Sequence, residues 1–373
     1  MRSRRSRGVE AARKHMVSWR VEGMRKFDYM FLKDAVPGRF VGVCERIVAM
    51  KTKEWYHKQS NDGTFSALRE KVGFESVESS HAIDGITATE ARIRGLLDGD
   101  MPESKDEKMI AGYYDAFNLI TIQHEKLTFS EELFRNLHRM IFHDVIPPEA
   151  GMYKTEDIYI FGMDPDSAEG DNRVRLNPIA AEDIPTALAQ MIQAYNTAIR
   201  DEEIPEIMLI PCVVLDFLRI QPFAEGNERI SRLLTIFLLQ KAGLDVGSYI
   251  SIEKMIEKRK EDYYAALEKS SDAWTEGDND YNPFISFMLQ IFERAYHELD
   301  DHFVENTRKK VSKQERIESI LMNTYVPMSK SEIMERLPDV SVRTVEVTLK
   351  RLLDEDKIMK VGSFRDARYK KKG

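Results

Sequence analysis

Between Gln221 and Arg232 the chain gathers residue types that hold phosphate: Gln221-Pro222-Phe223-Ala224-Glu225-Gly226-Asn227-Glu228-Arg229-Ile230-Ser231-Arg232. Glu225-Gly226-Asn227 reads as a tight turn into a helix N-terminus, where unpaired backbone N–H groups and the positive end of the helix dipole attract an anion. Arg229 and Arg232, three residues apart, share one face of the first helical turns, so two guanidiniums can grip a polyphosphate by paired hydrogen bonds. Two apolar segments must position this turn. Ile207 to Leu218 leads into it, and Ile230-Ser231-Arg232-Leu233-Leu234 leaves it as a helix with apolar residues at helical spacing.

The segment resembles the signature of the Fic family, His-Pro-Phe-x-Asp/Glu-Gly-Asn-Gly-Arg-x-x-Arg, at Pro222, Phe223, Glu225, Gly226, Asn227, Arg229 and Arg232. The resemblance implies transfer of AMP from ATP to a Ser, Thr or Tyr hydroxyl of a target protein. It puts Gly226, Asn227, Arg229 and Arg232 on the phosphates, with Glu228 among them, and Mg2+ on Glu225. Two positions depart from the family pattern. Gln221 stands where the family has its catalytic histidine, and its carboxamide can orient a hydroxyl but cannot deprotonate it. Loss of a general base costs about 10²–10⁴-fold in rate. Glu228 replaces the second glycine and sets a carboxylate where phosphates need a close, uncharged backbone. It either pairs with Arg229 or Arg232 and blocks the pocket, or points to solvent from the first helical turn. The expectation is a weak or inactive transferase acting as a nucleotide-responsive regulatory protein. A live transferase using another base, for which His81 and His138 come into view, is the alternative enzyme reading.

Upstream, Glu78-Ser79-Ser80-His81-Ala82-Ile83-Asp84-Gly85-Ile86 resembles the Ser/Thr-x-x-x-Glu-Gly/Asn inhibitory segment of many Fic proteins. There the acid pairs with the last signature arginine and displaces the γ-phosphate; Ser80, Asp84 and Gly85 match, with Asp84 one bond shorter than the usual glutamate. Ile158-Tyr159-Ile160-Phe161 and Arg173-Val174-Arg175-Leu176, joined by the turn-rich stretch Gly162 to Asn172, read as two strands and look like the family's flap hairpin. Leu127 to Phe142 reads as the helix before it, with His138 in a packing or capping role. Tyr263 and Tyr264 read as an aromatic pair of which at least one packs against helices.

At 373 residues the chain has room for more than one domain. The resemblance and the patterning together divide it into a basic tail and helical segment over 1–65, with a helix from Arg39 to Met50, a Fic domain over 66–310 and a winged helix over 311–373. The expected fold class is mainly α: a helical bundle with a small β-hairpin flap, then the winged helix. No apolar run approaches a membrane span, and two cysteines, Cys44 and Cys212, are too few for a disulfide scaffold, so a reducing cytoplasmic setting is expected.

The net charge of −8 is unevenly spread. Residues 1–20 hold seven Lys/Arg against one acid and 311–373 hold fourteen against ten, which leaves the body strongly acidic and confines any nucleic-acid binding to the ends. In the last segment Lys313 to Met322, a helix capped by Ser329 and a helix capped by Ser341 precede strands at Ile358 to Val361 and Ala367 to Lys370. That order is similar to a winged helix. A DNA-binding transcriptional regulator would use Arg343, Lys350 and Arg351 on the third helix with Arg365 and Arg368 on the wing. The partners expected are thus an unnamed target protein, DNA through the last domain, and a second copy of the chain, since Fic proteins often dimerise.

Overall fold

The apolar periodicity resolves into a mainly helical chain, seen in a computed structural model that describes residues 26–34, 36–59, 62–158, 160–163, 172–176, 178–308, 312–322, 327–362 and 367–372. It forms two compact units, residues 1–300 and 301–373. The first begins with α1 (Phe31–Asp34), α2 (Gly38–Lys58), α3 (Asp62–Ile83), α4 (Glu90–Leu97), α5 (Lys105–Gln123) and α6 (Glu131–Phe142). A hairpin of β1 (Ile160–Met163) and β2 (Asn172–Leu176) follows, then α7 (Ile184–Ala198), α8 (Glu206–Ile220), α9 (Asn227–Lys241), α10 (Ile252–Glu257), α11 (Lys260–Ser271) and α12 (Asn282–Arg308), whose last eight residues fall past the boundary at residue 300.

At the centre lie α8 and α9. All of α8 after Glu206 is buried, as is α9 from Asn227 to Gln240 apart from Glu228. Helices enclosed on every side need apolar residues all round, which is why the segments flanking the signature read as continuous hydrophobic runs. The helix expected over Arg39 to Met50 extends to Lys58, because Phe40, Ile47, Met50 and Glu54 carry one buried stripe past that end. The strand expected over 158–161 lies at 160–163. Gly162 pairs with Arg173 and Met163 with Asn172, so both belong to the antiparallel ladder and not to the turn, and the pairing shifts by one residue between Ile160 and Phe161.

A single glycine sets the spacing of α5 and α6. A Cβ on Gly112 would stand 2.3 Å from the Met140 carbonyl oxygen and 2.8 Å from the Ile141 Cα, both backbone atoms of α6 that cannot rotate away. Glycine is otherwise disfavoured in a helix interior, so close approach is its reason here. Gly112→Ala is expected to cost about 2–4 kcal/mol, read as a lower urea midpoint at unchanged m value. A midpoint equal to the parent's would show that the two helices can separate freely.

The second unit contains α13 (Lys313–Met322), β3 (Met328–Ser329), α14 (Lys330–Arg336), α15 (Val342–Asp354), β4 (Ile358–Val361) and β5 (Arg368–Lys371). Ser329 heads α14 in a reciprocal capping box with Glu332, and the Ser341 hydroxyl accepts the Thr344 N–H at 3.2 Å at the head of α15. Beyond the two expected strands, Met328–Ser329 joins the edge of β5, giving an antiparallel sheet in the order β3-β5-β4. Ile317, Leu321, Ile333, Val345, Leu349 and Leu352 are among the residues of its own apolar core.

Candidate active site at the turn between α8 and α9

The turn is built from two left-handed residues. Gln221, which ends α8, has φ 48°, and Gly226, which opens α9, has φ 81°. Glycine is required at the second position, since a Cβ there would fall 2.3 Å from Cε2 of Phe142. At Gln221 the left-handed backbone costs about 1–3 kcal/mol and is held by its neighbours. Its N–H donates to the Phe217 carbonyl at 3.1 Å, and its side-chain Oε1 accepts from Asn227 Nδ2 at 2.7 Å. Asn227 also accepts the Phe223 N–H at 3.0 Å and donates to the Phe223 carbonyl at 2.8 Å, closing the loop on itself. The first helical bond at this end runs from Ile230 N–H to the Gly226 carbonyl at 3.1 Å, and Gly226 brings no side-chain cap. The N–H groups of Asn227, Glu228 and Arg229 therefore precede the helical ladder, as an anion site at a helix start requires.

Glu228 follows neither course expected from the sequence. It makes no ion pair with Arg229 or Arg232, nor does it point freely to water; it is half-buried, and its Oε1 accepts from Gln221 Nε2 at 3.2 Å. The two departures from the signature are bonded to each other. The left-handed turn at Gln221 brings its amide over the first turn of α9, where Glu228 stands.

The arginines are taken by a different acid. Arg232 Nη2 donates to both carboxylate oxygens of Asp84 at 3.0 Å each, and its Nε donates to the Ser80 hydroxyl at 2.9 Å and Nη2 also to the Ser80 carbonyl at 3.0 Å. Arg229 Nε lies 2.8 Å from Asp84 Oδ2, a charge contact whose N–H is not aligned for a hydrogen bond. Asp84 sits just past α3, and Gly85, at φ 80°, turns the chain away behind it. The shorter side chain of aspartate is thus long enough. Behind this contact lies a buried network that the sequence did not signal, its donors standing 140 and 177 residues from their acceptor. Tyr113 and Ser76 donate to the enclosed carboxylate of Glu253 at 3.0 and 2.8 Å. Burial raises the pKa of Glu253 above the usual carboxylate range.

Neither histidine is placed to take a proton from a target. The His138 ring is stacked between Phe142 and Phe223, accepts the Gly151 N–H at Nδ1 (2.8 Å) and bonds the backbone of Glu225. His81 is buried, with Nδ1 on the Val77 carbonyl at 2.8 Å and its ring edge-on to Tyr113. Burial pushes both imidazoles down to about 4. Glu225 stands at the mouth of the turn, 3.7 Å from Lys105 Nζ, with its side chain 42% exposed. Among the described residues no cluster of three or more acidic, His or Cys groups could hold a metal by itself. A lone exposed carboxylate does fit a magnesium ion that takes its other ligands from phosphate and water.

Sequence reasoning gave one group here no role. Lys154 is buried, its Nζ has no hydrogen-bond partner among the described residues, and burial pushes its ammonium down to about 8. Its backbone N–H donates to the Pro222 carbonyl at 2.9 Å, which ties the chain entering the hairpin to the signature. Tyr263 packs between Tyr264, Phe284 and Phe287, while Tyr264 stays half-buried. In the second unit Arg351 is paired with Glu318 and Glu355, and Arg368 with Glu332, so these two of the basic residues considered for DNA are engaged within their own unit. Arg343 and Lys350 are exposed on α15, and Arg365 lies outside the described residues.

The family model of Fic/DOC matches residues 128–239, from the approach to α6 through nearly all of α9. The chain carries a Fic/DOC family domain. Its sequence is 26% identical over 247 residues to the protein adenylyltransferase Fic of Drosophila erecta, covering 64% of this chain and 43% of that protein. The Drosophila melanogaster protein of the same name is 25% identical over 245 residues. The chain thus spans less than half the length of these curated relatives. In fold it is similar to a Fic family protein from Desulfovibrio desulfuricans G20, with a TM-score of 0.60 at 19% identity over 91% of this chain and 97% of that one. A fragment of Fic-1 from C. elegans gives a TM-score of 0.55 at 17% identity over 71% and 72%. The Fic match excludes α3, so Ser80 and Asp84 reach the signature arginines from outside the matched segment. Among the described residues no helix is long and apolar enough to cross a membrane.

Proposed function

We infer that this chain is a nucleotide-responsive regulatory protein on an adenylyltransferase scaffold, in which AMP transfer to protein hydroxyls is held low. The observation that carries this is the Asp84 carboxylate bonded to Arg232 and set against Arg229, the two cations the signature reserves for phosphate. ATP, when bound, supplies an electrophilic α-phosphorus and a pyrophosphate leaving group. The chain's part is to hold phosphates with the leading N–H groups of α9 and the two arginines, and magnesium with Glu225. While Asp84 stays in place, Arg232 has Nε and Nη2 committed and Arg229 has a carboxylate against its Nε, so both cations already face a counter-charge. Gln221 adds a second brake. Its only acceptor atom, Oε1, is engaged by Asn227.

The unmodified chain, incubated with labelled ATP and magnesium alone and in a cell lysate, is expected to label itself and other proteins only faintly. Robust transfer at rates typical of enzymes, about 1 s⁻¹ or more, would sink the reading.

A further inference from the structure

We propose that Glu228 is the proton acceptor of whatever transfer this site performs, and that Gln221 is its positioning residue. The inference rests on the adenylyl-transfer reading above and deepens it by naming the group that does the histidine's work.

The hydrogen-bond directions carry the argument. Gln221 Oε1 is occupied by Asn227 Nδ2 at 2.7 Å, so its amide N–H side must face the other way, and there Nε2 donates to Glu228 Oε1 at 3.2 Å. Asn227 cannot turn over, because the Phe223 backbone fixes both ends of its amide. The second carboxylate oxygen, Oε2, has no part in the Gln221 bond, and the residue is half-buried at the mouth of the turn. Among the groups of the turn, the side-chain acceptors of Gln221 and Asn227 are used up internally, His138 is committed to backbone, and Glu225 is drawn to Lys105. Glu228 therefore offers a Brønsted base directly beside the position from which the family's histidine acts. A carboxylate held by a neutral amide donor loses rotational freedom, which is what positioning requires.

In the step, the target's hydroxyl proton passes to the Glu228 carboxylate as the oxygen forms a bond to the α-phosphorus. The bond from that phosphorus to pyrophosphate breaks, pyrophosphate leaves with its electron pair, and Glu228 returns the proton to solvent. Alcohol and ATP go to the AMP ester and pyrophosphate, with no further reactant.

The test uses the full chain with Asp84→Asn, which keeps the shape of the latch and removes its charge, and the wild type at saturating Mg-ATP should the variant fold poorly. Pyrophosphate release is the activity readout, since it counts transfer to any hydroxyl, water included. Mg-ATP affinity is measured separately by calorimetry. Adding Glu228→Gln is expected to lower pyrophosphate release about 100-fold while Mg-ATP binds as well or better, a charge near the phosphates having been removed. Carbodiimide labelling mapped by mass spectrometry is expected to find Glu228 accessible in the apo chain. Release by Glu228→Gln within twofold of its parent, or a Glu228 that takes no label, overturns the proposal while leaving the transferase reading intact. Mg-ATP binding without any release overturns the assignment of a base and keeps the nucleotide site. Absence of Mg-ATP binding overturns both.

Discussion

Replacing Asp84 by alanine is expected to tighten Mg-ATP binding by about 10–100-fold while making the unliganded protein less stable. The two effects have one origin. Arg232 is 3% exposed and Arg229 7%, and in the resting chain the Asp84 carboxylate lies against both. Removing one partner of a buried ion pair leaves cations without a counter-charge, at a cost of about 3–5 kcal/mol where burial is complete. Ser80 keeps two hydrogen bonds to Arg232, so the loss here belongs at the lower end of that range. The same vacancy is what a triphosphate would fill, through charge-assisted bonds of the kind Asp84 now makes. Thermal unfolding should therefore show a lower Tm than wild type without ligand and a larger rise on adding Mg-ATP, because stabilisation grows with ligand concentration over Kd. Calorimetry gives the affinity directly. Equal affinities in the two proteins would mean that Asp84 does not compete for the phosphate site.

A second substitution should act on folding itself. Asp216 is fully buried in α8, five residues before Gln221, and three aromatic donors converge on it. Tyr29 donates to Oδ2 at 2.8 Å, Trp274 Nε1 to Oδ1 at 2.7 Å, and the Tyr281 hydroxyl lies within 2.9 Å of both oxygens. Asp216→Ala removes the charged acceptor that these three buried donors share, each bond worth about 1–3 kcal/mol, so a total loss near 4 kcal/mol or more is expected. With domains commonly stable by about 5–15 kcal/mol, this would bring the chain close to unfolding at 25 °C. Asp216→Asn keeps one acceptor oxygen and should lose less. Urea unfolding followed by tryptophan fluorescence, to which Trp274 contributes, checks both. An alanine variant within 1 kcal/mol of wild type would show that the three donors find other partners.

These two residues mark where the sequence could and could not be read. The pairing of Asp84 with Arg232 was legible through the resemblance, because a short motif with fixed spacing stood upstream of a longer one and the contact needed only side-chain reach, whereas the two bonds from Arg232 to Ser80 were not foreseen. The Asp216 junction was not. Its partners are 187, 58 and 65 residues away, and no local pattern separates a tyrosine that donates to a buried carboxylate from one that only packs. Glu228 shows a subtler failure. Its identity was noted and its options argued from charge, yet the outcome depends on a left-handed residue seven positions earlier, a backbone choice that side-chain chemistry does not announce. Helices were read most securely where a serine heads an apolar stripe, as at Ser341. The strand at Ile358 to Val361 lies where it was expected and β2 only gains Asn172, while β1 and β5 lie two and one residues further on, since hairpin register rests on backbone pairing along the whole ladder.

The approach to the hairpin is held by its main chain. Lys154 N–H meets the Pro222 carbonyl, Gly151 N–H meets His138, and the Gly151 carbonyl accepts Arg135 Nε at 2.8 Å. None of these bonds uses a side chain of residues 151–154. The exposed Met152 could therefore rewrite the text this stretch presents without moving the page, whereas Gly151, with the Arg135 carbonyl 2.9 Å from where a Cβ would stand, Tyr153, whose hydroxyl donates to Glu131 at 2.9 Å, and the buried Lys154 belong to the page itself.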